Sequence, residues 1–298
     1  MAKDIDNSIV AKFWDNKEYN TRTRWWQSPT IIQHYNKMVC GEHLDGWNAG
    51  AMKLLKKYTG GKTLKTAISV GCGIGSKEMD LLKQHMVEHF VCFDLSEKRL
   101  NQAKSTAIDI GINSLIEFYC EDFFSSEMLH RKYDLVFWDN SLHHMIDTSK
   151  TVKISIEILN NGGILFCNDY VGASRFQWSD IELAIVNGVR AMLPDELFVM
   201  PNGQRINKWV TKPSLESMIQ ADPSEAADSA SILEAIKKNF ESPEIINTGG
   251  LIYHLCLNDI LQNIKEESDM LQYLLQLDEE LCTHDFWQYA FIIAKKYE

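Results

Sequence analysis

Residues Ala67 to Asp94 read AISVGCGIGSKEMDLLKQHMVEHFVCFD, and this stretch decides the fold. A short apolar run, Ala67, Ile68 and Val70, ends in Gly71-Cys72-Gly73-Ile74-Gly75. Met79, Leu82 and Met86 then recur at helical spacing, and Phe90 to Phe93 form a second, continuously apolar run that stops at Asp94. The order is strand, glycine turn, helix, strand, acid. Continuous apolarity marks a strand covered on both faces, as in a parallel sheet. Glycines at alternate positions let the backbone turn sharply and come close to a ligand. An acid nineteen residues beyond Gly75 can accept both hydroxyls of a ribose. Together they describe a cradle for a nucleotide-type cofactor at the carboxyl edge of the sheet.

The same alternation continues downstream. Ser96 caps a helix with Leu100, Ala103, Ala107 and Ile110 on its buried face, and Gly111 ends it. Ile116, Phe118 and Cys120 give a third strand that runs into Glu121-Asp122-Phe123. An acid beside an aromatic at that point suits an adenine amino group and its ring. Tyr133 to Asp139 form the fourth strand, followed at once by Asn140-Ser141-Leu142-His143-His144. After a helix to Leu159, Gly162-Gly163 open a fifth strand, Ile164 to Cys167, ending in Asn168-Asp169-Tyr170. Strand–helix repeats of this kind predict a doubly wound α/β fold with a mostly parallel sheet.

At 298 residues the chain can bury a large core, and 45% hydrophobic with 24% charged residues is ordinary globular composition. The net charge of −11 argues against nucleic acid or an anionic membrane surface as partner. No apolar run approaches the roughly 20 residues of a membrane span, and the first residues lack signal-peptide character. Seven cysteines are scattered singly, without a CxxC pair, which fits a reducing cytoplasm and argues against structural zinc.

These residues resemble the class I S-adenosylmethionine-dependent methyltransferases, particularly bacterial enzymes acting on small molecules. Gly71-x-Gly73-x-Gly75 matches their glycine motif; dehydrogenases space theirs as G-x-G-x-x-G, with the third glycine one position later. Asp94, with Leu95 beside it, matches the ribose acid, and Asp122-Phe123 the adenine pair. Asp139-Asn140 match the fourth-strand motif that faces the methyl donor. The resemblance implies a Rossmann-like sheet of seven strands, the last antiparallel, and S-adenosylmethionine as cofactor. It covers about residues 60–170, and its final strand pair maps onto Glu244 to Leu257 and Asp285 to Lys295. One departure stands out. The position two before Gly71, often acidic in the family, is Ser69.

This reading divides the chain into a helical N-terminal lid (1–60), a cofactor-binding core (61–178), a helical substrate cap (179–243) and a final strand pair with a helical insertion (244–298). The lid is rich in aromatics, among them Trp14, Tyr19, Trp25 and Trp26, interleaved with Arg22 and Arg24. Such a segment packs on the sheet, closes over the site, or does both. Arg24 is expected near the cofactor, and Trp25 and Trp26 near the substrate.

Methyl transfer is a direct displacement, and a base is needed only when the acceptor must lose a proton. His144, with His143 beside it, is the candidate base, and Tyr170 a further catalytic group. Arg175 and Trp178 on the loop after the fifth strand, and Trp209 in the cap, are candidate substrate contacts; aromatic walls with a few orienting polar groups suit a small-molecule pocket. Asp139, Asn168 and Asp169 approximate the magnesium set of catechol-type O-methyltransferases. The pair is reversed, however, and no metal is expected. The predicted function is methylation of oxygen or nitrogen on a small molecule. Alternatives are a protein or nucleic-acid methyltransferase, although the Asn-Pro-Pro-aromatic motif is missing after Asp139, and a non-methylating S-adenosylmethionine-binding protein or cyclase.

Overall fold

The computed structural model describes residues 6–17 and 23–297; the Tyr19 and Arg22 readings lie outside them. In chain order the elements begin with helices α1 (Asn7–Asn16), α2 (Pro29–Cys40) and α3 (Ala49–Tyr58). The alternating region follows: β1 (Leu64–Val70), α4 (Ser76–Lys83), β2 (Val87–Phe93), α5 (Glu97–Asp109), β3 (Ile116–Tyr119), β4 (Tyr133–Asp139), α6 (Thr148–Ile158) and β5 (Leu159–Tyr170). The remainder comprises α7 (Asp180–Met192), α8 (Leu215–Ala221), α9 (Ile232–Asn239), β6 (Glu244–Asn247), α10 (Asp269–Thr283) and β7 (Tyr289–Lys295).

The sheet order is β3-β2-β1-β4-β5-β7-β6. Strands β1 to β5 pair in parallel, and β7 runs antiparallel to both β5 and β6. This is the expected α/β Rossmann-like architecture. The switch in strand order between β1 and β4 opens a crevice at their carboxyl ends, the usual ligand position in such sheets.

Alternate strand residues feed two cores. Phe90, Phe137 and Phe166 face one side, covered by α2 to α5. Val91, Val136 and Leu165 face the other, covered by α6 and α9. A third core lies beyond the sheet, where Trp25, Trp178 and Val186 meet Leu251 to Leu257 and α10.

Local chemistry sets the element ends as the sequence suggests. The Ser96 side chain accepts the amide of Arg99 at the start of α5, and Ser179 and Glu182 form a reciprocal capping box on α7. Ile110, expected on the buried face of α5, caps its end and is 40% exposed. A larger correction concerns Leu251–Cys256, expected within the final strand pair. It is a single wide π-type turn. Asp278, fully buried on α10, accepts the amides of Gly250 and Ile252 and so ends the strand path after Asn247.

Packing runs across the expected segments. Helices α2 and α3 belong to the sheet layer, and α1 is the N-terminal helix over the crevice. Helix α9, at the end of the expected cap, packs on the sheet through Ile232 and Ile236, whereas α7 shares its core with the 251–264 segment and α10. Arg190 of α7 fastens that third core. Fully buried, it donates to the carbonyls of Cys256, Asn207 and Lys208 and to both oxygens of Asp259.

Candidate active site

A cavity of about 510 Å³ opens at the carboxyl ends of β1, β2 and β4. Its floor is the glycine turn. Gly71 has a φ of 73°, and its amide donates to the Phe93 carbonyl at 2.8 Å. A Cβ at position 71 would come within 2.7 Å of the Ser141 Cβ, so the turn and the start of the 140–144 segment close on each other only with glycine there. Gly75 is the N-cap of α4, with a φ of 68°. The Cys72 thiol belongs to the core beside Cys92; that contact and burial push it well above its ordinary pKa.

Asp94 follows directly on β2 and lines the cavity with Leu95. One carboxylate oxygen accepts the Gly73 amide and the other the Ser96 amide, both at 2.8 Å. Burial raises its pKa, opposed by those two amides and by the Arg99 charge. Asp122, Phe123 and Phe124 form the adjoining wall, and one Asp122 oxygen takes the Phe124 amide at 3.0 Å.

Helix α1 covers this end. The Asn7 amide donates to the other Asp122 oxygen at 3.0 Å, and Asp15 accepts the Ser96 hydroxyl at 2.6 Å. Trp14 sits under the Arg99 guanidinium at 4.3 Å and meets His144 edge-on at 5.4 Å. Part of the expected lid is therefore a short helix spanning the cavity from the acid end to the histidine end.

The missing acid at Ser69 has a structural counterpart. Glu78, on α4, reaches back under the glycine turn, and the Ser69 hydroxyl donates to its Oε1 at 2.6 Å. Glu78 is 2% exposed, and its Oε2 has no partner. Burial raises its pKa to about 7, against the lowering effect of the Ser69 hydrogen bond. The sequence carries both residues but no local pattern linking a strand serine to a helix glutamate nine positions on.

Asp139 faces away from the cavity. It is buried, bonded to the Asn48 amide, and paired with the Lys77 ammonium at 2.6 Å. Asn168 joins the same network through Asn48 at 2.9 Å and the Tyr35 hydroxyl at 2.6 Å. Asn140 turns the chain with a φ of 54° and lines the cavity, followed by Ser141.

The short helical turn Leu142–His144 forms the opposite end of the cavity. Asp169 accepts the amides of Ser141 and Leu142 at 3.0 and 2.7 Å with one oxygen and bonds His143 Nδ1 with the other. His143 Nε2 lies 3.5 Å from Glu225. Burial pulls the His143 pKa down, but Asp169 and then Glu225 outweigh it and hold it up at about 10. His144 lines the cavity, and its Nδ1 sits 3.0 Å from the Ser224 hydroxyl. Burial and the neighbouring His143 charge lower its pKa to about 4.

The remaining candidates do not line the cavity. Tyr170 is buried; its hydroxyl is shared among the Ala173 carbonyl, Gln288 and the Trp178 indole N–H, and burial raises its pKa well above the ordinary value. Trp178 stacks on Phe176, in the third core. Trp25 packs there against Trp47, Tyr253 and Tyr289. Arg24 precedes the turn Trp25–Gln27, and its amide donates to Gln27. Trp26 and Trp209 are exposed.

Arg175 holds the chain rather than the cavity. Its guanidinium donates to the carbonyls of Pro223 and Glu225 at 2.6 and 3.0 Å. It therefore fixes the segment carrying Asp222, Ser224 and Glu225, none of which sequence reasoning singled out. They stand about eighty positions from the histidines, and no periodicity announces their approach.

The family described as a methyltransferase domain matches residues 62–289. Among solved structures, phosphoethanolamine N-methyltransferase 2 of Haemonchus contortus, in complex with S-adenosyl-L-methionine, superposes with a TM-score of 0.54 at 15% identity. The match covers 97% of this chain, which spans 60% of that one. Geranyl diphosphate C-methyltransferase of Streptomyces coelicolor A3(2), in complex with Mg2+, geranyl-S-thiolodiphosphate and S-adenosyl-L-homocysteine, gives 0.55 at 11% identity, with 97% of each chain covered. At these identities the likeness is one of fold.

Proposed function

Because the chain belongs to the family of methyltransferase domains, with the class I seven-stranded architecture, we propose that it transfers the methyl group of S-adenosylmethionine to an oxygen or nitrogen of a small molecule. The observation that carries this reading is that one cavity has Asp94 and Asp122-Phe123 at one end and the Asn140–His144 turn at the other.

The residues fit the cofactor. The backbone at Gly71 is bare, because a side chain there would strike Ser141. Asp94, fixed by two amides, would accept the ribose hydroxyls, and Asp122 the adenine amino group beside the Phe123 ring. Bound there, the sulfonium would supply an activated methyl group and a neutral sulfide leaving group. Helix α1 excludes water from the acid end through the Asn7 and Asp15 contacts.

The histidine end serves the acceptor. A general base works best with a pKa near the operating pH, and burial with a charged neighbour holds His144 far below that. His144 therefore orients the acceptor rather than deprotonating it, and His143, tied to Asp169, fixes the turn. Small-molecule substrates are favoured by the size of the cavity, about 510 Å³, and by the net charge of −11.

Calorimetric titration with S-adenosylmethionine tests the cofactor assignment. Asp94→Ala should weaken binding by about 1.5–3 kcal/mol, the cost of a charge-assisted hydrogen bond. Absence of binding by the unaltered protein would refute the assignment. Methyl-labelled S-adenosylmethionine incubated with small-metabolite pools then identifies the acceptor by where the label goes.

A further inference from the structure

His143, His144 and Glu225 converge although the glutamate is some eighty residues away in sequence. One ligand atom from each lies within 4.8 Å of those of the other two. The two imidazole rings are 4.1 Å apart between centroids, tilted by 39°, and His143 Nε2 is 3.5 Å from Glu225 Oε1. Ligand atoms on one tetrahedral ion at about 2.0–2.1 Å stand roughly 3.3 Å apart, close to the His143–Glu225 separation.

Both rings are braced from behind. His143 Nδ1 is bonded to an Asp169 oxygen and carries an N–H. Asp169 cannot swing away, because its second oxygen holds the Ser141 and Leu142 amides. At His144, the Ser224 hydroxyl gives its proton to Asp222 Oδ1 at 2.6 Å and has only lone pairs left for His144 Nδ1. Nδ1 of His144 is then the N–H as well. Nε2 is therefore the nitrogen each ring offers to a ligand. On His143 it faces Glu225, where either a proton or a metal ion can join the two. Carboxylate or hydroxyl partners on the far nitrogen are what orient metal-bound histidines.

The backbone around the group is also fixed. Arg175 holds the Pro223 and Glu225 carbonyls, and the Ala227 amide donates to the His143 carbonyl at 3.0 Å.

We propose that His143, His144 and Glu225 bind one divalent transition-metal ion of the zinc or iron(II) class, with Asp169 and the Ser224–Asp222 pair as the outer partners that orient the two rings. Two imidazoles among three donors disfavour magnesium and calcium, which take oxygen ligands. Three protein ligands leave at least one coordination position open, and His144 and Ser224 both line the cavity, so that position is within reach of an acceptor heteroatom. The proposal stands on the side chains alone and holds whichever atom is methylated.

The test uses the full chain, stripped with a chelator. Zinc titrated in competition with a chromophoric chelator should bind at one ion per chain, and cobalt(II) in its place should give visible d–d bands of a nitrogen–oxygen site. Glu225→Gln and His144→Asn should each weaken zinc binding by about tenfold or more, and Ser224→Ala, which keeps all three ligands, by less. Circular dichroism melts check that each variant is folded; the half-buried Glu225 and the cavity-facing His144 are chosen because the buried His143 also supports the turn. Substoichiometric zinc, affinity unchanged in both folded ligand variants, or a thiolate-to-cobalt band from one of the seven cysteines would overturn the proposal. S-adenosylmethionine titrated into the same stripped protein reports separately on the cofactor assignment.

Discussion

Glu78→Gln isolates the charge beneath the glycine turn. The side chain is 2% exposed, and burial lifts its pKa from 4.5 to about 7 despite the Ser69 hydrogen bond. In the unfolded chain the carboxyl releases its proton near its ordinary value, whereas the folded chain retains it until about pH 7. Between those points the folded state binds more protons, so folding stability falls as pH rises. Below the unfolded pKa the contribution is fully present; above about pH 7 it is lost. At about 1.4 kcal/mol per unit, the shift corresponds to about 3 kcal/mol. Glutamine keeps the size and the oxygen that accepts from Ser69 but does not titrate. Its new amide stands where Oε2 has no partner and adds a pH-independent cost of about 1–3 kcal/mol. Urea unfolding of both proteins from pH 4.5 to 8 is the assay. The variant should gain on the unaltered protein by about 3 kcal/mol across that range, with most of the change between pH 5 and 7. Asp94 and Asp139, whose pKa values burial also raises, titrate in both proteins and largely cancel in the difference. A difference that stays constant with pH would refute the reasoning.

Gly71→Ala should abolish or strongly weaken S-adenosylmethionine binding in calorimetry and lower stability by about 1–3 kcal/mol, because a Cβ at a φ of 73° also meets the Ser141 Cβ at 2.7 Å; unchanged binding would mean that the turn does not approach the ligand. Arg190→Met leaves the Asp259 carboxylate and three carbonyls without their donor and should cost about 3–5 kcal/mol in chemical unfolding. Cofactor affinity measured below the unfolding range should be unchanged, since the residue belongs to the third core and does not line the cavity.

What the sequence made legible was local. Tyr133 to Asp139 is one strand with the expected ends; its apolar run, Leu135 to Trp138, is short and rich in valine and aromatic residues, which suits a buried strand. Asp94 and Asp122 were recognisable as acids at strand ends, and both line the cavity. Where two structures share one composition, the sequence misled. Leu251–Cys256 is as apolar as a strand, and only the buried Asp278, brought from α10, turns it into a wide helical turn. Tyr170, Trp178 and Trp25 have the chemistry of a pocket wall, but the same surfaces serve a core equally well, and here they lie in one. Arg175 read as a substrate clamp because a guanidinium suits an anion; two backbone carbonyls satisfy it instead. Contacts such as Ser69–Glu78 and His143–Glu225 are properties of the packed chain.

One step along β5 separates the two polar networks of the site. Successive strand residues point to opposite faces. Asn168 therefore joins Tyr35, Asn48 and Asp139 on the side of α2 and α3, where the Lys77 ammonium balances the carboxylate. Asp169 faces the other way, toward the histidine turn. Asp139 and Asn168 thus share one network and Asp169 belongs to another, so the three side chains do not converge. The same alternation leaves Asp169 free to hold the two turn amides and His143 at once. The order Asn168-Asp169 therefore puts the buried acid at the histidine end of the cavity, where it fixes the ring that faces Glu225.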